Sequence, residues 1–276
     1  MTCPLCNGRG FSTKTEGIYE IVVACSCQRM KQIHAELGAS GIPQKYQQYS
    51  LLDAPADGRI PFKEAEGFYA RGLSEGDALE LRHCKMSQKK ALAICRERYE
   101  TYLKAFQTKD ESIPTPGFML RGPCGTGKTH MAATLLTDLV YAGVSPVRFV
   151  EYTQLFRQLR YSYGSSELRE SDILEPLVKA KVLCLDDLGA QASDNTTWVQ
   201  DILGYLLNER YGSMLPTIIT TNFPDELDEG ASGPFLSDRL GVRLRSRIRE
   251  MCPAVHMTGL DLRQLMDSAK NKGKPG

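Results

Sequence analysis

The chain has 276 residues, 42% hydrophobic and 24% charged, with a formal net charge of +1. That is material for one sizeable core plus a small appendage, at roughly 100–200 residues per domain. The near-neutral balance excludes a global field driving the protein onto nucleic acid or anionic lipid, so any DNA contact must come from a local patch.

No apolar run approaches the ~18 residues needed to cross a bilayer. Met1-Thr2-Cys3-Pro4 lacks the basic and apolar regions of a signal peptide. Scattered thiols at Cys84, Cys95, Cys124, Cys184 and Cys252 suit a reducing compartment. A cytoplasmic protein without a membrane segment is expected.

Residues 1–35 open with Cys3-Pro-Leu-Cys6 and close near Cys25-Ser-Cys27. Two close thiol pairs suit tetrahedral Zn²⁺, although the second pair is C-x-C rather than C-x₂-C. Gly8 and Gly10 allow the tight turn that aims backbone N–H groups at the sulfurs. A β-like run follows at 19–24. So small a module cannot build its own core, so the metal is expected to hold it folded.

Residues 36–113 are more polar, a linker broken by Pro43, Pro55 and Pro61, then a helix over about 87–106. There Ala91, Leu92, Cys95, Tyr99, Tyr102, Leu103 and Phe106 recur at helical spacing. Pro114 and Pro116 mark a boundary. Residues 114–267 alternate short apolar runs with helical patterns, which predicts an α/β domain with a parallel sheet flanked by helices. Strands are expected at 118–120, 147–150, 182–185 and 217–221, and a helix at 129–142. The Lys/Gly-rich tail, 268–276, is expected to fray.

After the first of these strands comes Gly122-Pro123-Cys124-Gly125-Thr126-Gly127-Lys128-Thr129, which fits G-x-x-x-x-G-K-[ST] at every fixed position. Its glycines let successive N–H groups cradle phosphate oxygens, and the following helix adds its positive end. Lys128 should reach the β- and γ-phosphates, and the Thr129 hydroxyl should bind Mg²⁺. A chance Gly-rich turn is the bland alternative; the flanking strand and helix argue against it.

The residues 152–169 interleave aromatic and basic side chains, among them Arg160, Tyr161, Tyr163 and Arg169. Stacking rings beside arginines are the ingredients of single-stranded DNA binding. Leu155, Phe156 and Leu159 show ordinary core spacing, and residues 160–169 are expected in a loop around Gly164, so a solvated connection is the competing reading.

The run 182–189 delivers Asp186 and Asp187 at a strand's carboxyl end, where open α/β sheets place ligand chemistry. Asp186 is the candidate Mg²⁺ partner, and Asp187 the group that orients and deprotonates the attacking water. Asn222, ending the 217–221 strand, is placed to bond that water or the γ-phosphate; a strand-ending Asn is otherwise a turn former. The basic stretch 237–249, if one helix, sets Leu240, Leu244 and Ile248 on a buried stripe beside Arg239, Arg243 and Arg247. Either this is a solvated face, or one arginine enters a neighbouring subunit's ATP site.

These elements in this order resemble the AAA+ helicase-loader family, of the DnaC and DnaI types, and the related IstB transposition ATPases. The resemblance spans roughly 40–265, through Gly122–Thr129, Leu185-Asp-Asp-Leu-Gly189 and Ile218-Ile-Thr-Thr-Asn222, and through Ile42-Pro-Gln-Lys-Tyr46 ahead of them. It implies an AAA+ ATPase fold with ATP and Mg²⁺ as cofactors, Asn222 as sensor 1, Arg247 as arginine finger with Arg243 one turn before, and Arg263 as sensor 2. It further implies ATP-dependent homo-oligomers, single-stranded DNA and a replicative helicase as partners, and a zinc module at Cys3, Cys6, Cys25 and Cys27 that docks helicase or DNA. The stretch 62–109 exceeds the family's pattern.

The expectation is therefore a helicase loader that hydrolyses ATP slowly, because Asp187 is a methylene shorter than the usual Glu. A transposase-helper ATPase on double-stranded DNA is the nearest alternative. A small-molecule kinase would leave Asn222 and the arginines without work, and a non-hydrolysing adaptor would leave Asp186 and Asp187 without work.

Overall fold

The structure, a computed structural model, describes residues 3–62, 75–164, 168–190, 196–226 and 232–263. The residues 63–74 of the long stretch before the phosphate loop, and the tail 268–276, lie outside that set. A hairpin comes first, β1 (Phe11–Glu16) paired antiparallel with β2 (Tyr19–Ala24). Then follow α1 (Ser26–Ser40), a 3₁₀ turn at Gln44–Tyr46, the short parallel pair β3 (Tyr49–Ser50) and β4 (Ile60–Pro61), and α2 (Glu75–Thr108). The main domain runs β5 (Phe118–Arg121), α3 (Lys128–Tyr141), β6 (Val147–Glu151), α4 (Tyr152–Ser162), α5 (Glu170–Val178), β7 (Val182–Asp186), α6 (Thr196–Gly212), β8 (Thr217–Thr221), α7 (Leu236–Leu240), α8 (Val242–Met251) and β9 (Ala254–His256).

Five of these strands form a wholly parallel sheet in the order β6-β7-β8-β5-β9. Alternate side chains leave a strand on opposite faces. Phe118, Leu120, Val182, Cys184 and Ile218 therefore join one core with residues of α1, α2 and α3. Met119, Leu183, Leu185 and Ile219 join a second core with residues of α4, α5, α6, α7 and α8. With helices on both faces, β5, β7 and β8 are buried at every position, which is why β5 and β7 read as apolar runs up to their last residue, while β8 carries β-branched Thr and Ile throughout. Among the described residues no helix is long and apolar enough to cross a membrane.

Several boundaries differ from expectation. α1 runs through residues 35 and 36, where the sequence suggested a module edge; Ile33 and Leu37 bury its stripe in the first core. α2 begins at residue 75 rather than near 87; of its described residues before 87 only Cys84 is buried, so that first stretch carries no apolar period to read. The linker ahead of it is tied to α3 by Asp138, which accepts bonds from Ser50 Oγ (2.8 Å) and the Leu51 N–H (2.7 Å) and pairs with Arg59 (2.7 Å). The basic stretch is two helices, not one. Gly241, at φ 80°, ends α7 and separates Arg239 from Arg243 and Arg247. The apolar stripe survives the break: Leu240, Leu244 and Ile248 are all buried.

Arg210 of α6 is fully buried. It donates to the carbonyls of Leu177 (2.8 Å), Val178 (3.1 Å), Ala180 (2.7 Å) and Pro216 (2.6 Å) and to Thr217 Oγ1 (3.0 Å). Burial lowers its guanidinium to about 9, and the carbonyls compensate in place of a carboxylate. Those acceptors close the C-terminal end of α5 and the entry to β8. Arg210→Met leaves them buried without donors, at ~1–3 kcal/mol per orphaned group. Loss of about 3 kcal/mol or more is expected in denaturant unfolding; a midpoint equal to the parent's contradicts it.

Candidate functional site

β5 delivers the chain into the loop 122–127, and α3 starts at Lys128, so the first-turn N–H groups of α3 face the loop. Gly122 has φ 152°, and a Cβ there would lie 1.7 Å from the Met257 carbonyl. A Cβ on Gly125, at φ 77°, would meet Asp261 Oδ1 at 1.8 Å. Both positions admit only glycine. α2 braces the loop from outside, with Gln88 Nε2 donating to the buried Thr126 carbonyl (2.8 Å). Lys128 Nζ donates to the Gly122 (2.8 Å) and Pro123 (2.6 Å) carbonyls, and burial lowers its ammonium to about 8.

The acids at the end of β7 stand opposite. Asp186 Oδ1 accepts from Thr129 Oγ1 (2.8 Å) and Thr220 Oγ1 (2.6 Å). The Asp187 N–H donates to Thr220 Oγ1 (2.9 Å), and Asn222 Nδ2 donates to Asp187 Oδ1 (2.7 Å). Asp187 takes φ 56°, a left-handed conformation that Asp tolerates better than most residues. Burial raises both carboxyls above their ordinary range; the two hydroxyls restrain Asp186 and the Lys128 charge restrains Asp187.

An open cleft of ≈ 470 Å³ unites Lys128, Thr129, Asp186, Asp187, Asn222 and Arg263. Arg263 sits at its rim, 73% exposed and 3.4 Å from Asp261. Lys45, Tyr46, His130, Glu151 and Thr220 also line it, and sequence reasoning assigned none of them a role in it. Glu151 ends β6 in register with Asp186, a strand-ending acid of the kind already noted on β7. His130 packs among Tyr46, Tyr49 and Phe62, with ring centroids at 5.1, 4.5 and 4.9 Å, and burial lowers it to about 4. The donor set at Thr129 and Asp186, a hydroxyl sharing a carboxylate oxygen, fits a hard divalent cation.

Arg247 does not line this cleft. It lies on α8 with its guanidinium 4.7 Å from the Tyr211 ring and 3.6 Å from Glu250. Arg243 is exposed one turn earlier, and Arg239 lies over Phe223 (4.8 Å). Of the candidate DNA residues, Arg160 and Tyr161 occupy the last turn of α4 rather than a loop. Tyr161 and Tyr163 are exposed, and Arg169 is the N-cap of α5, its N–H donating to Asp172 (3.0 Å). α6 adds a residue the sequence did not single out: Trp198 Nε1 donates to the Tyr163 hydroxyl (2.9 Å), and Arg160 lies 5.8 Å from the Trp198 ring.

The sulfurs of Cys3, Cys6, Cys25 and Cys27 lie within 4.8 Å of one another and could hold a metal ion. Cys3–Cys25 and Cys6–Cys27 are 3.8 and 3.5 Å apart. A tetrahedron with bonds of ~2.3 Å has edges of ~3.8 Å, so the geometry fits zinc. The Gly10 N–H points at Cys6 Sγ (3.2 Å) and favours its thiolate, lowering it to about 6.

Residues 114–264 match the family described as IstB-like ATP binding protein. The replicative helicase loader DnaC of Escherichia coli (strain K12) is 26% identical over 132 residues, 48% of this chain and 49% of DnaC. The chain thus spans about half the length of these curated relatives. The phage-like element PBSX protein XkdC of Bacillus subtilis (strain 168) is 24% identical over 253 residues, covering 91% of this chain and 79% of XkdC. A crystal structure of DnaI, 24% identical, covers 79% of this chain and 96% of its own with a TM-score of 0.50, a likeness of fold.

Proposed function

The chain belongs to the IstB-like ATP-binding family, within the AAA+ ATPases, and on that premise we propose that it is a slow ATP-driven switch that loads a replicative helicase onto single-stranded DNA. The observation that carries the reading is the bonded series Thr129–Asp186–Thr220–Asp187–Asn222 facing Lys128 across one cleft. Gly122 to Thr129 hold the phosphates, with Lys128 on the β- and γ-oxygens. Thr129 and Asp186 hold Mg²⁺, which when bound neutralises charge developing on the phosphate oxygens. Asp187 orients a water for in-line attack and accepts its proton, while Asn222 fixes the carboxylate. Arg263 approaches the nucleotide from the rim. Arg247, outside its own cleft, serves the ATP of an adjoining subunit in an ATP-dependent homo-oligomer. Cys3, Cys6, Cys25 and Cys27 hold zinc and fold a module that docks the helicase.

Single-stranded DNA is assigned to the face where Arg160 and Tyr163 meet Trp198, with exposed Tyr161 and Arg169 close by in sequence. The helicase assignment is supported by the likeness to DnaC. The family's IstB description favours a second reading, a transposase helper on duplex DNA.

Trp198 is the single tryptophan of the chain, so its fluorescence reports on this face alone. A single-stranded oligonucleotide, added with ATP and Mg²⁺, should quench it. Trp198→Ala removes the fluorophore, so its binding is read by anisotropy of a fluorescein-labelled oligonucleotide, where it should be weaker than the parent's by ~1–3 kcal/mol, the worth of one stacked base. Duplex that binds more tightly than single strands would move the assignment to the transposition reading.

A further inference from the structure

The strand that feeds the phosphate loop and the helix that carries Arg247 meet on one buried carboxylate. β5 ends at Arg121, the residue before Gly122. Arg121 is 5% exposed, with Nη1 at 3.6 Å from Asp225 Oδ2 and Nη2 at 3.0 Å from His256 Nε2 of β9. Asp225 is 3% exposed and takes a second guanidinium from α8. Arg245 Nε donates to its Oδ2 at 3.1 Å and Arg245 Nη2 to its Oδ1, closing a two-pronged fork, with Glu226 4.0 Å beyond.

The placement gives this triad a reach that an ordinary core ion cluster lacks. Asp225 comes three residues after Asn222, which holds Asp187. Arg245 comes two residues before Arg247. A fork of two parallel bonds fixes direction as well as distance. α8 therefore cannot slide or rotate on the sheet without breaking that fork. A shift at the phosphate loop reaches Asp225 through the adjoining Arg121 and its ion pair, and a shift at Asn222 through the short run of chain between them.

We infer that Asp225 is a positioning residue, tying the nucleotide site of one subunit to the arginine that subunit offers its neighbour. This rests on the reading of Arg247 as acting between subunits. The fork sets the pose of α8, and so of Arg247. Broken, it leaves a subunit able to use a neighbour's arginine and unable to supply its own.

The test is ATP hydrolysis by mixtures of full-length variants. Asp225→Asn and the milder Arg245→Gln should each bind ATP within about twofold of the parent. Each should hydrolyse about 10²-fold more slowly, the cost of an ångström-scale misplacement of a catalytic group. Mixing either with Asp187→Asn, which keeps an intact α8 but lacks the base, should restore hydrolysis. Mixing with Arg247→Ala should not. The coupling is overturned if both variants hydrolyse at the parent rate, or if Asp187→Asn fails to rescue them, which would place the defect in their own site. Should Asp225→Asn not fold, Arg245→Gln carries both arms. Parent-rate hydrolysis by Arg247→Ala alone would remove the intersubunit arginine and the coupling with it, a result separable from the other two.

Discussion

Asp187→Asn should slow ATP hydrolysis by about 10²–10⁴-fold, the usual contribution of a positioned base, while ATP affinity changes little. The affinity is spared because phosphate contacts come from the loop, Lys128 and Thr129. The substitution is nearly isosteric, and its amide oxygen can still accept from Asn222. What is lost is the proton acceptor. The pH dependence follows from burial. Asp187 sits above the ordinary carboxylate range and must be ionised to act, so the rate falls as pH drops through that raised value. On the alkaline side, Lys128 is lowered to about 8 in the free protein. ATP stabilises the ammonium, so above that pH binding takes up a proton and affinity falls, by at most tenfold per pH unit. Single-turnover hydrolysis and ATP titrations across pH separate the two limbs. A variant that hydrolyses at the parent rate would transfer the proton to another group, with Glu151, beside Asp186 at the end of β6, the nearest alternative.

Four of the five strands of the main sheet were legible because burial writes itself into composition; the edge strand β9 was not, being three residues long and exposed at both ends. β7, Val-Leu-Cys-Leu-Asp, has no polar residue until it reaches the cleft. The phosphate loop was legible because its glycines answer to backbone geometry, as the 1.7 Å approach of the Met257 carbonyl to a Cβ at Gly122 demonstrates. β1 was not, since Phe-Ser-Thr-Lys-Thr-Glu leaves no face to bury and its register is set by β2 alone. The split at Gly241 was hidden because Leu240, Leu244 and Ile248 keep helical spacing across it. Glu151 and Lys45 reach the cleft through strand register and the packing of the linker on α3, and Trp198 reaches Tyr163 from another helix. Such placements are tertiary and leave no local period to read.

Removing the metal should unfold the N-terminal hairpin and spare the ATPase domain. Every residue of β2 is exposed, with Ile18 at the turn 90% exposed and Val22 68%. A two-stranded hairpin is at best marginally stable by itself in water. Little remains to hold it but the four sulfurs, and structural zinc in small modules is worth ~10–16 kcal/mol of apparent binding free energy. The damage should stop at α1, because Ile33 and Leu37 are anchored in the first core and Glu36 pairs with Arg148 (3.1 Å) and accepts from the Val147 N–H (2.9 Å). Chelation, or Cys6→Ser, should therefore abolish hydrogen-exchange protection across residues 11–24. Protection in α3 and ATP affinity should stay within about twofold of the parent, as additivity between distant sites implies. Because thiolates are the ligands, acidification should release the metal in the same order of events. Hairpin protection that survives chelation would mean that the strands hold themselves and that the cysteines serve another chemistry. Loss of ATP binding along with the hairpin would mean that α1 transmits the state of the module into the nucleotide cleft through the linker bearing Lys45 and Tyr46.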